Sequence, residues 1–410
     1  MSMKSIFLAA LCLCGHLYAQ ESASGIEAIL RQVEQNNPQL QANARRITAQ
    51  RWADRAENNL PDPTLSYAHV WDSRDAQITA SELVVSQSFD FPTLYISRYR
   101  LNRQRSQTLD AQANRLRQEV LLQAQLLCLD IIGLYQQQQV ANERLQSADE
   151  LARIYQRRLE AGDAGILDAN KLKLEQLNAA TEARRTRTEL RAALNQLWAL
   201  TGNQHLGAGR PQADPLPPTA EALRLTEFPP VDLPDDFHQL LPTLMQADPN
   251  LQALQSQAEA SRRQQGVARQ GWLPKLEVGY RRNTESGHPL NGIVVGCSFP
   301  LFQNRGKGSQ AKAQWQADHL ESESTRLATE SALWQLYEEA RTWESTLQEY
   351  RATLEQQQKL SLLKQALQGG QINLTEYFVE TARLYESQSN LIQLQSDYHK
   401  AVARLLQSML

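Results

Sequence analysis

The sequence predicts a mainly α-helical fold with a membrane β-barrel contribution, built from two tandem repeats of one unit. Three observations predict it: short segments recur along the chain in the same order, two very long segments contain no proline, and four short runs alternate apolar with polar residues. Each repeat should therefore have long coiled-coil helices and one β-hairpin.

The internal repeat rests on four pairs of similar segments. Gly162 and Gly370 are 208 residues apart, and Tyr67 and Tyr280 are 213 residues apart. One such pair could arise by chance, but four pairs in the same order at nearly one offset indicate a duplication. The pairs are 37–40 with 248–251, 60–67 with 273–280, 84–89 with 294–299, and 158–162 with 366–370.

The repeat and the N-terminal pattern divide the chain into four parts. Residues 1–19 are predicted to be a secretory signal peptide, because Lys4 is followed by an apolar run too short to span a bilayer and by the small residue Ala19. A buried N-terminal helix is the alternative. The remaining parts are the first repeat at 20–202, a Pro-rich linker at 203–247 and the second repeat at 248–410.

Composition argues against a nucleic-acid-binding protein and against a disulfide-bonded scaffold. The chain has 42 Lys and Arg residues against 45 Asp and Glu residues, and Lys4 is the one charged residue among residues 1–19. A near-neutral balance with both signs interspersed argues against a nucleic-acid partner. Cys128 and Cys297 lie far apart, so we expect free thiols at packing positions rather than a disulfide scaffold.

Two proline-free segments, 94–158 and 303–367, predict very long helices. Helix-favouring Leu, Ala, Gln, Arg and Glu dominate the first segment, and Gly133 is its one glycine. At 1.5 Å per residue, about 65 residues make a helix of ~100 Å. No globular core covers such a length, so we expect coiled coils. Helical stretches at 26–58 and 250–271 precede the strands of each repeat.

Four alternating runs predict two β-hairpins. In the run 292–299, Ile293, Val295 and Phe299 share one face, and Ser298 lies on the other. This pattern suits a barrel that faces lipid outward and water inward, and a half-buried soluble sheet is the alternative. Four strands cannot close a barrel, so several subunits would have to pool their strands. The expected lipid-facing residues are Leu276, Val278, Tyr280, Ile293, Val295 and Phe299.

Together these features resemble the TolC-type outer-membrane factors over essentially the whole chain after residue 19. The segment Phe-Pro-Leu-Phe-Gln-Asn-Arg-Gly-Lys-Gly at 299–308 is similar to the strand-exit motif of those channels, and 89–94 is its counterpart in the first repeat. The resemblance implies a homotrimer in which each subunit gives two hairpins to a 12-stranded barrel. It also implies a periplasmic α-helical tunnel extending from the outer membrane of a Gram-negative bacterium.

The resemblance further implies a gate where the helical hairpins turn at the periplasmic tip. Gly162 and Gly370 mark the two hairpin turns, and the acidic residues Asp168 and Glu376 each follow a turn glycine by six positions. Three copies of either carboxylate would ring the pore and attract cations. The alternative is that each carboxylate simply complements the dipole at a helix start.

The sequence departs from the family's gate pattern at three positions. Val379 stands where these channels often have a second acidic ring. Leu367 replaces a tyrosine that latches neighbouring hairpins, and Ile372 replaces a basic latch residue. We therefore expect the periplasmic gate, with Asp168, Glu376, Leu367 and Val379, to close through different or weaker contacts.

The resemblance implies a passive exit channel of a tripartite efflux pump, not an enzyme. The implied partners are a periplasmic adaptor (membrane fusion) protein, an inner-membrane transporter of the resistance-nodulation-division type, and outer-membrane lipid. A type I protein secretion system would use the same kind of channel. Two other classes stay open: a periplasmic adaptor, which normally has one helical hairpin, and a structural coiled-coil envelope protein, which does not explain duplicated strands.

No catalytic, cofactor or metal site is predicted. The histidines are scattered with no pair at metal-ligand spacing, and the sequence has neither a phosphate-binding glycine motif nor a nucleophile elbow. Met245 and Met409 are the methionines outside residues 1–19, which argues against a methionine relay for copper or silver. The Pro-rich stretch 211–249 is expected to be an irregular connection, which the resemblance assigns to a belt around the tunnel.

Overall fold

The computed structural model describes residues 25–71, 79–163, 165–202, 218–231, 233–285, 288–355 and 360–410. The expected signal peptide and the first part of the Pro-rich linker lie outside these residues. Within them the chain folds into long helices and a four-stranded sheet. The elements are α1 (Gly25–Asn36), α2 (Pro38–Ala56), β1 (Thr64–Trp71), β2 (Thr79–Phe89), α3 (Pro92–Glu160), α4 (Ile166–Leu200), α5 (Phe237–Ala247), α6 (Pro249–Gln270), β3 (Lys275–Glu285), β4 (His288–Ser298), α7 (Lys307–Glu355), α8 (Leu360–Gln368) and α9 (Leu374–Leu405).

The helices that precede the strands begin with the same cap in both repeats. Asn37 Oδ1 accepts hydrogen bonds from the backbone N–H groups two and three residues on, at 2.9 and 3.1 Å. Asp248 Oδ1 does the same at 2.8 and 2.9 Å. A proline follows each cap at the first helical position, where no N–H is needed.

The sequence predicted one helical stretch at 26–58, and this prediction is wrong in one respect, because the structure has two helices there. Asn37 has extended backbone angles, because the ring of Pro38 clashes with a helical conformation of the residue before it. The chain therefore ends α1 at Asn36 and starts α2 at Pro38.

The very long helices are confirmed in the first repeat and shortened in the second. α3 has 69 residues, which at 1.5 Å per residue is about 100 Å, and it packs against α4. α7 begins at Lys307 rather than at 303, after a turn in which Gly306 has a φ of +84°. Residues 356–359, between α7 and α8, lie outside the described part. No helix among the described residues is both long enough and apolar enough to cross a membrane.

The sheet joins the two repeats. Its strand order is β1-β2-β3-β4, and every neighbouring pair is antiparallel. The outer pairs are the two predicted hairpins, and the central pair of β2 with β3 connects them, with Val85 opposite Tyr280 and Gln87 opposite Val278. Cross-strand partners lie on the same face, so this register places the alternating patterns of both repeats in one surface.

The connection between the repeats crosses the middle of the long helices. Its Phe228 ring stacks on His399 of α9, with ring centroids 4.9 Å apart and planes at 3°. On α3, a Cβ added at Gly133 would stand 3.8 Å from Phe228 Cζ, so the aromatic ring fits between the two helices. Side chains of three helices also donate hydrogen bonds to its carbonyl oxygens: Gln136 to Thr226 at 3.0 Å, Tyr398 to Val231 at 3.3 Å, and Tyr337 to Pro234 at 2.9 Å.

The later part of this connection is more ordered than expected, since 211–249 contains the helix α5. Asp236 caps the helix by accepting a hydrogen bond from the His238 N–H at 2.9 Å. Phe237 and Leu244 are buried in a cluster with side chains of α7 and α9. Burial of this apolar face outweighs the cost of Pro242 inside the helix.

Candidate functional site

The two hairpin turns have the same backbone structure. Gly162 has a φ of +82° and Gly370 a φ of +69°, a left-handed conformation that glycine adopts without a steric penalty. In the first turn, Asp163 N donates to Arg158 O at 2.7 Å, and Gly162 N donates to Leu159 O at 3.1 Å. The second turn has the equivalent pair of bonds, at 2.8 and 3.2 Å. Both helices thus end in a Schellman motif, which accounts for the repeated glycine.

The two acidic residues of the expected gate occupy equivalent positions after these turns. Gly165 is the N-cap of α4 and Asn373 the N-cap of α9, so Asp168 and Glu376 are both the third helical residue. Both carboxylates therefore lie in the first turn of a helix, where the helix dipole favours negative charge.

The local contacts of the two carboxylates differ. Glu376 forms a capping box, in which its Oε2 accepts from the Asn373 N–H at 2.9 Å and Asn373 Oδ1 accepts from the Glu376 N–H at 2.9 Å. Asp168 Oδ1 lies 3.9 Å from Lys171 Nζ, and its helix has no side-chain cap. Glu376 thus has the helix-start role that the sequence left open as an alternative, while Asp168 has a weaker local anchor.

An apolar cluster packs the two tips together. Its buried members are Leu151 of α3, Leu172 of α4, Leu363 of α8, and Leu374 and Tyr377 of α9. Burial raises the pKa of Tyr377 to about 12.

The other expected gate residues lie around this cluster. Leu367 and Ile372 are partly buried against it, whereas Val379 is 45% exposed. The structure therefore brings Leu367 to the packed side of the tip and leaves Val379 on an open side.

Two polar contacts across the tips were missed from the sequence. Lys171 Nζ donates to Thr375 Oγ1 at 3.1 Å, which joins the starts of α4 and α9. Lys364 of α8 forms an ion pair with Glu150 of α3, and this hydrogen bond holds the pKa of Glu150 below its usual value. Single lysines and glutamates on long polar helices give no sequence signal that could have identified these pairs.

Five of the six expected lipid-facing residues lie on one side of the sheet. Leu276 is opposite Cys297, and the other pairs of β3 and β4 are Val278 with Val295 and Tyr280 with Ile293. Ile293 and Val295 are 81% and 78% exposed. Phe299, 66% exposed, follows the last residue of β4 rather than belonging to the strand.

The opposite face of the sheet is polar. Arg281 Nε pairs with Glu82 Oε1 at 2.7 Å, and Lys275 Nζ lies 3.8 Å from Asp90 Oδ1 at the end of the sheet near the helices. Sequence reasoning did not single out these charges. The alternation that identified the apolar residues placed Arg281 and Glu82 on the other face and could have found them.

The described residues contain no cluster of three or more His, Cys, Asp or Glu side chains that could hold a metal ion.

Comparison with known proteins links this arrangement to a family. Residues 240–409 match the family model described as outer membrane efflux protein. Over 195 residues the chain is 32% identical to the cobalt-zinc-cadmium resistance protein CzcC of Cupriavidus metallidurans. That alignment covers 45% of this chain and 43% of CzcC, so less than half of the relative is matched.

Solved structures share the fold over nearly the whole chain. CusC superposes with a TM-score of 0.74 at 15% identity, covering 94% of this chain and 92% of CusC. The outer membrane protein VceC of Vibrio cholerae gives a TM-score of 0.72 at 15% identity, covering 94% and 95%. The open MtrE outer membrane channel of Neisseria gonorrhoeae gives 0.61 at 14% identity, covering 94% and 89%. The match of residues 240–409 thus relates the second repeat to the outer membrane efflux protein family, and the chain has the fold of these solved structures.

Proposed function

We propose that this protein is the outer-membrane exit channel of a tripartite efflux pump. It would passively conduct substrates from an inner-membrane transporter and a periplasmic adaptor to the outside. One observation supports this above all: a single chain joins a four-stranded sheet, whose apolar side includes the largely exposed Ile293 and Val295, to a helix about 100 Å long. The sheet is suited to lipid and the helices to an aqueous tunnel.

The number of strands supports a homotrimer. Four strands cannot close a barrel, and an open sheet edge is not stable inside a bilayer. Three copies supply twelve strands, within the range of known membrane barrels. The barrel would lie in the outer membrane of a Gram-negative bacterium, with the helices as a periplasmic extension.

The helical tips are the proposed gate. In a trimer, three copies of Asp168 and three of Glu376 would face one another near the narrow end of the tunnel. Rings of carboxylates concentrate cations and repel anions. Val379 and Leu367 carry no charge, and they lie on an open and on a packed side of the tip. The charged part of the proposed gate therefore consists of the Asp168 ring and the Glu376 ring.

We further propose divalent metal cations as the cargo, delivered by a resistance-nodulation-division transporter and its adaptor. CzcC, the relative at 32% identity, is named for resistance to cobalt, zinc and cadmium. Cation-attracting rings at the tip fit such a cargo better than they fit an anionic one.

The test of the channel is a mass and conductance measurement on protein purified in mild detergent. We expect a particle of three times the chain mass that inserts into planar bilayers and conducts ions. A stable monomer without conductance would contradict the proposal.

The test of the cargo is separate. Deleting the gene should raise sensitivity to zinc, cobalt or cadmium, and restoring the intact chain should reverse this. A deletion strain with unchanged metal sensitivity and raised sensitivity to organic drugs would reject metal cargo while leaving the channel in place.

A further inference from the structure

One arginine lies on the apolar side of the sheet. The alternation of β3 places Arg282 on the same side as Val278 and Tyr280. Arg282 is exposed, and among the described residues its guanidinium has no ion-pair partner, whereas Arg281 on the other side pairs with Glu82 at 2.7 Å. Within the described strands, no Asp, Glu or Lys shares the side of Arg282. A lone cation on a side that faces lipid is costly unless it meets water or an anion.

Arg282 lies towards the end of the sheet that is far from the helices. β3 follows α6, begins at Lys275 and ends at Glu285, three residues after Arg282. In the proposed channel the helices extend into the periplasm, so this far end faces the outside. The apolar residues begin at Phe299, and Asn291, which is opposite Arg282, lies eight positions before it. At about 3.4 Å per residue and a tilt of about 40°, eight residues rise by about 20 Å, so Arg282 is near the outer boundary of an apolar band about 25 Å tall.

Two aromatic side chains mark the same boundary. Tyr67 of β1 is opposite Leu83, which is itself opposite Arg282, so these three residues form one row across the sheet. Trp71 lies four residues further from the helices. Tyr67 is 66% exposed and Trp71 is 67% exposed. Rings with an apolar body and a polar group gather where the hydrocarbon of a membrane meets its headgroups, so they support the depth inferred for Arg282.

Hydrogen-bond donors surround Arg282 on this side. Tyr280 Oη donates to Asn291 Oδ1 at 2.6 Å, so the amide nitrogen of Asn291 remains as a donor directly opposite Arg282. One row further from the helices, Ser81 of β2 is opposite Thr284 of β3, which adds two hydroxyl groups. A guanidinium binds a phosphate through two parallel hydrogen bonds, and neighbouring neutral donors can bind its remaining oxygens. Donors without a carboxylate to compete for them are suited to an anion.

We propose that Arg282, Asn291, Ser81 and Thr284, here called the Arg282 cluster, bind a phosphate of the phosphorylated glycolipid in the outer leaflet of the outer membrane. The inference rests on the proposed channel and adds a lipid that each chain holds. The headgroup phosphate meets the Arg282 cluster, and the acyl chains of the same molecule lie along the apolar residues closer to the helices, such as Ile293. An arginine at this depth can extend its charged group to the headgroup level.

The position of β3 makes the cluster complete within one chain. β3 is an inner strand, paired with β2 on one side and with β4 on the other. The sheet edges that would pair with other subunits are β1 and β4. The direct neighbours of Arg282 therefore come from its own chain, and a trimer would have three equal clusters on its outer surface.

Lipid binding to single-residue variants tests the proposal. The probe is purified lipid A, the phosphorylated glycolipid anchor of this leaflet, added to detergent-purified trimer and counted by native mass spectrometry. We expect up to three molecules per trimer and at least tenfold weaker binding to Arg282→Gln. The matched control is Arg281→Gln, which removes the same charge from the adjacent residue on the other side and should bind as the original chain does. Equal binding to the Arg282→Gln variant, or an equal loss in Arg281→Gln, would overturn the proposal.

A second variant removes the anion site while keeping the arginine. Asn291→Asp sets a carboxylate opposite Arg282, so the new ion pair should weaken lipid A binding at least tenfold as well. Neither Arg282→Gln nor Asn291→Asp adds net charge of the kind that opposes insertion, because the first removes a cation from the lipid side and the second neutralises it. Both should therefore form trimers in normal yield. Unchanged lipid A binding by Asn291→Asp would overturn the proposed cluster.

Three further probes identify the ligand. Lipid A without its phosphates should bind the original chain as weakly as intact lipid A binds Arg282→Gln. Phosphatidylglycerol binding as tightly as lipid A would overturn the glycolipid in favour of any anionic lipid, and displacement of lipid A by millimolar inorganic phosphate would overturn a lipid ligand. A trimer that conducts ions but binds no lipid A would overturn this inference and leave the channel in place. An original chain that forms no trimer would overturn the channel itself.

Discussion

Asn373 and Glu376 cap helix α9 reciprocally, each side chain accepting a hydrogen bond at 2.9 Å from the backbone N–H of the other. A carboxylate held in this way has a fixed direction at the tip of a hairpin. Glutamine can make the same reciprocal bonds, so the charge of Glu376 can be removed without losing the cap.

The first prediction concerns this charge. Glu376→Gln should reduce cation selectivity and weaken block by multivalent cations in planar bilayers, because a ring of three carboxylates loses its charge. The trimeric mass should stay the same. Unchanged selectivity and block would locate the constriction elsewhere.

Two further variants serve as controls for the tip. Glu376→Ala removes the charge and one of the two capping-box bonds, the one donated by the Asn373 N–H, and the loss of that bond should cost about 0.5–1.5 kcal/mol of stability. Asp168→Asn should alter selectivity less than Glu376→Gln, since Asp168 is already close to the cation of Lys171 at 3.9 Å. A larger effect of Asp168→Asn would make it the principal ring.

The second prediction compares adjacent residues of β4 on opposite faces. Ile293→Arg should impair assembly, because a cation on the lipid side near the bilayer midplane costs about 2–4 kcal/mol. Val294→Arg lies at the same depth on the face that already contains Arg281 and Glu82, and it should assemble. The measurement is the yield of trimer in outer-membrane fractions. Equal yields would show that the two faces are assigned wrongly.

The third prediction concerns pH. Burial, and to a lesser extent the charge of Arg351, lower the pKa of His399 to about 4. The unfolded chain takes up a proton near pH 6.5 and the folded chain does not, so stability should fall as the pH falls from 6.5 towards 4. The pKa difference corresponds to about 3 kcal/mol.

The matched variant for this prediction is His399→Phe, which keeps a ring against Phe228 and cannot be protonated. Thermal unfolding followed by circular dichroism should give a stability difference between the two chains that is greater at pH 4.5 than at pH 7. A constant difference would mean that the pKa of His399 is the same in the folded and in the unfolded chain.

The fourth prediction concerns the two free cysteines of the described residues. Cys297 is exposed, whereas Cys128 is fully buried and its burial raises the pKa of the thiol. In a chain expressed without residues 1–19, a small maleimide should label Cys297 quickly and Cys128 only after denaturation. Rapid labelling of two thiols in the folded protein would contradict the packing of α3.

Periodicity and composition predicted the elements of the fold well where local signals were strong. The 69-residue helix α3 follows from a segment without proline and rich in helix formers. The break at Asn37-Pro38 could also have been predicted, because proline restricts the residue before it. Helix α5 was missed because the prolines of the stretch 211–249 were given more weight than the apolar face of the helix, which packs on α7.

The candidate site was predictable only in part. The equal spacing from Gly162 to Asp168 and from Gly370 to Glu376 gave their equivalent helix positions. The contacts of Lys171 with Thr375 and of Lys364 with Glu150 join residues 204 and 214 positions apart. Such pairs depend on how the two hairpins pack, which no local pattern specifies.

Because α3 is one unbroken helix, a small bend near its middle moves its end by a larger distance. The connection between the repeats holds α3 at Gly133, through the Phe228 ring that fits against His399. Between Gly133 and Glu160 the helix extends for about 40 Å, so a bend of about 10° at the held point moves its tip by about 7 Å. A bend of this size leaves the backbone hydrogen bonds of a helix intact. A change of packing near the middle of α3 that bent it by this amount would therefore displace its tip by a much larger distance than the atoms at the held point move.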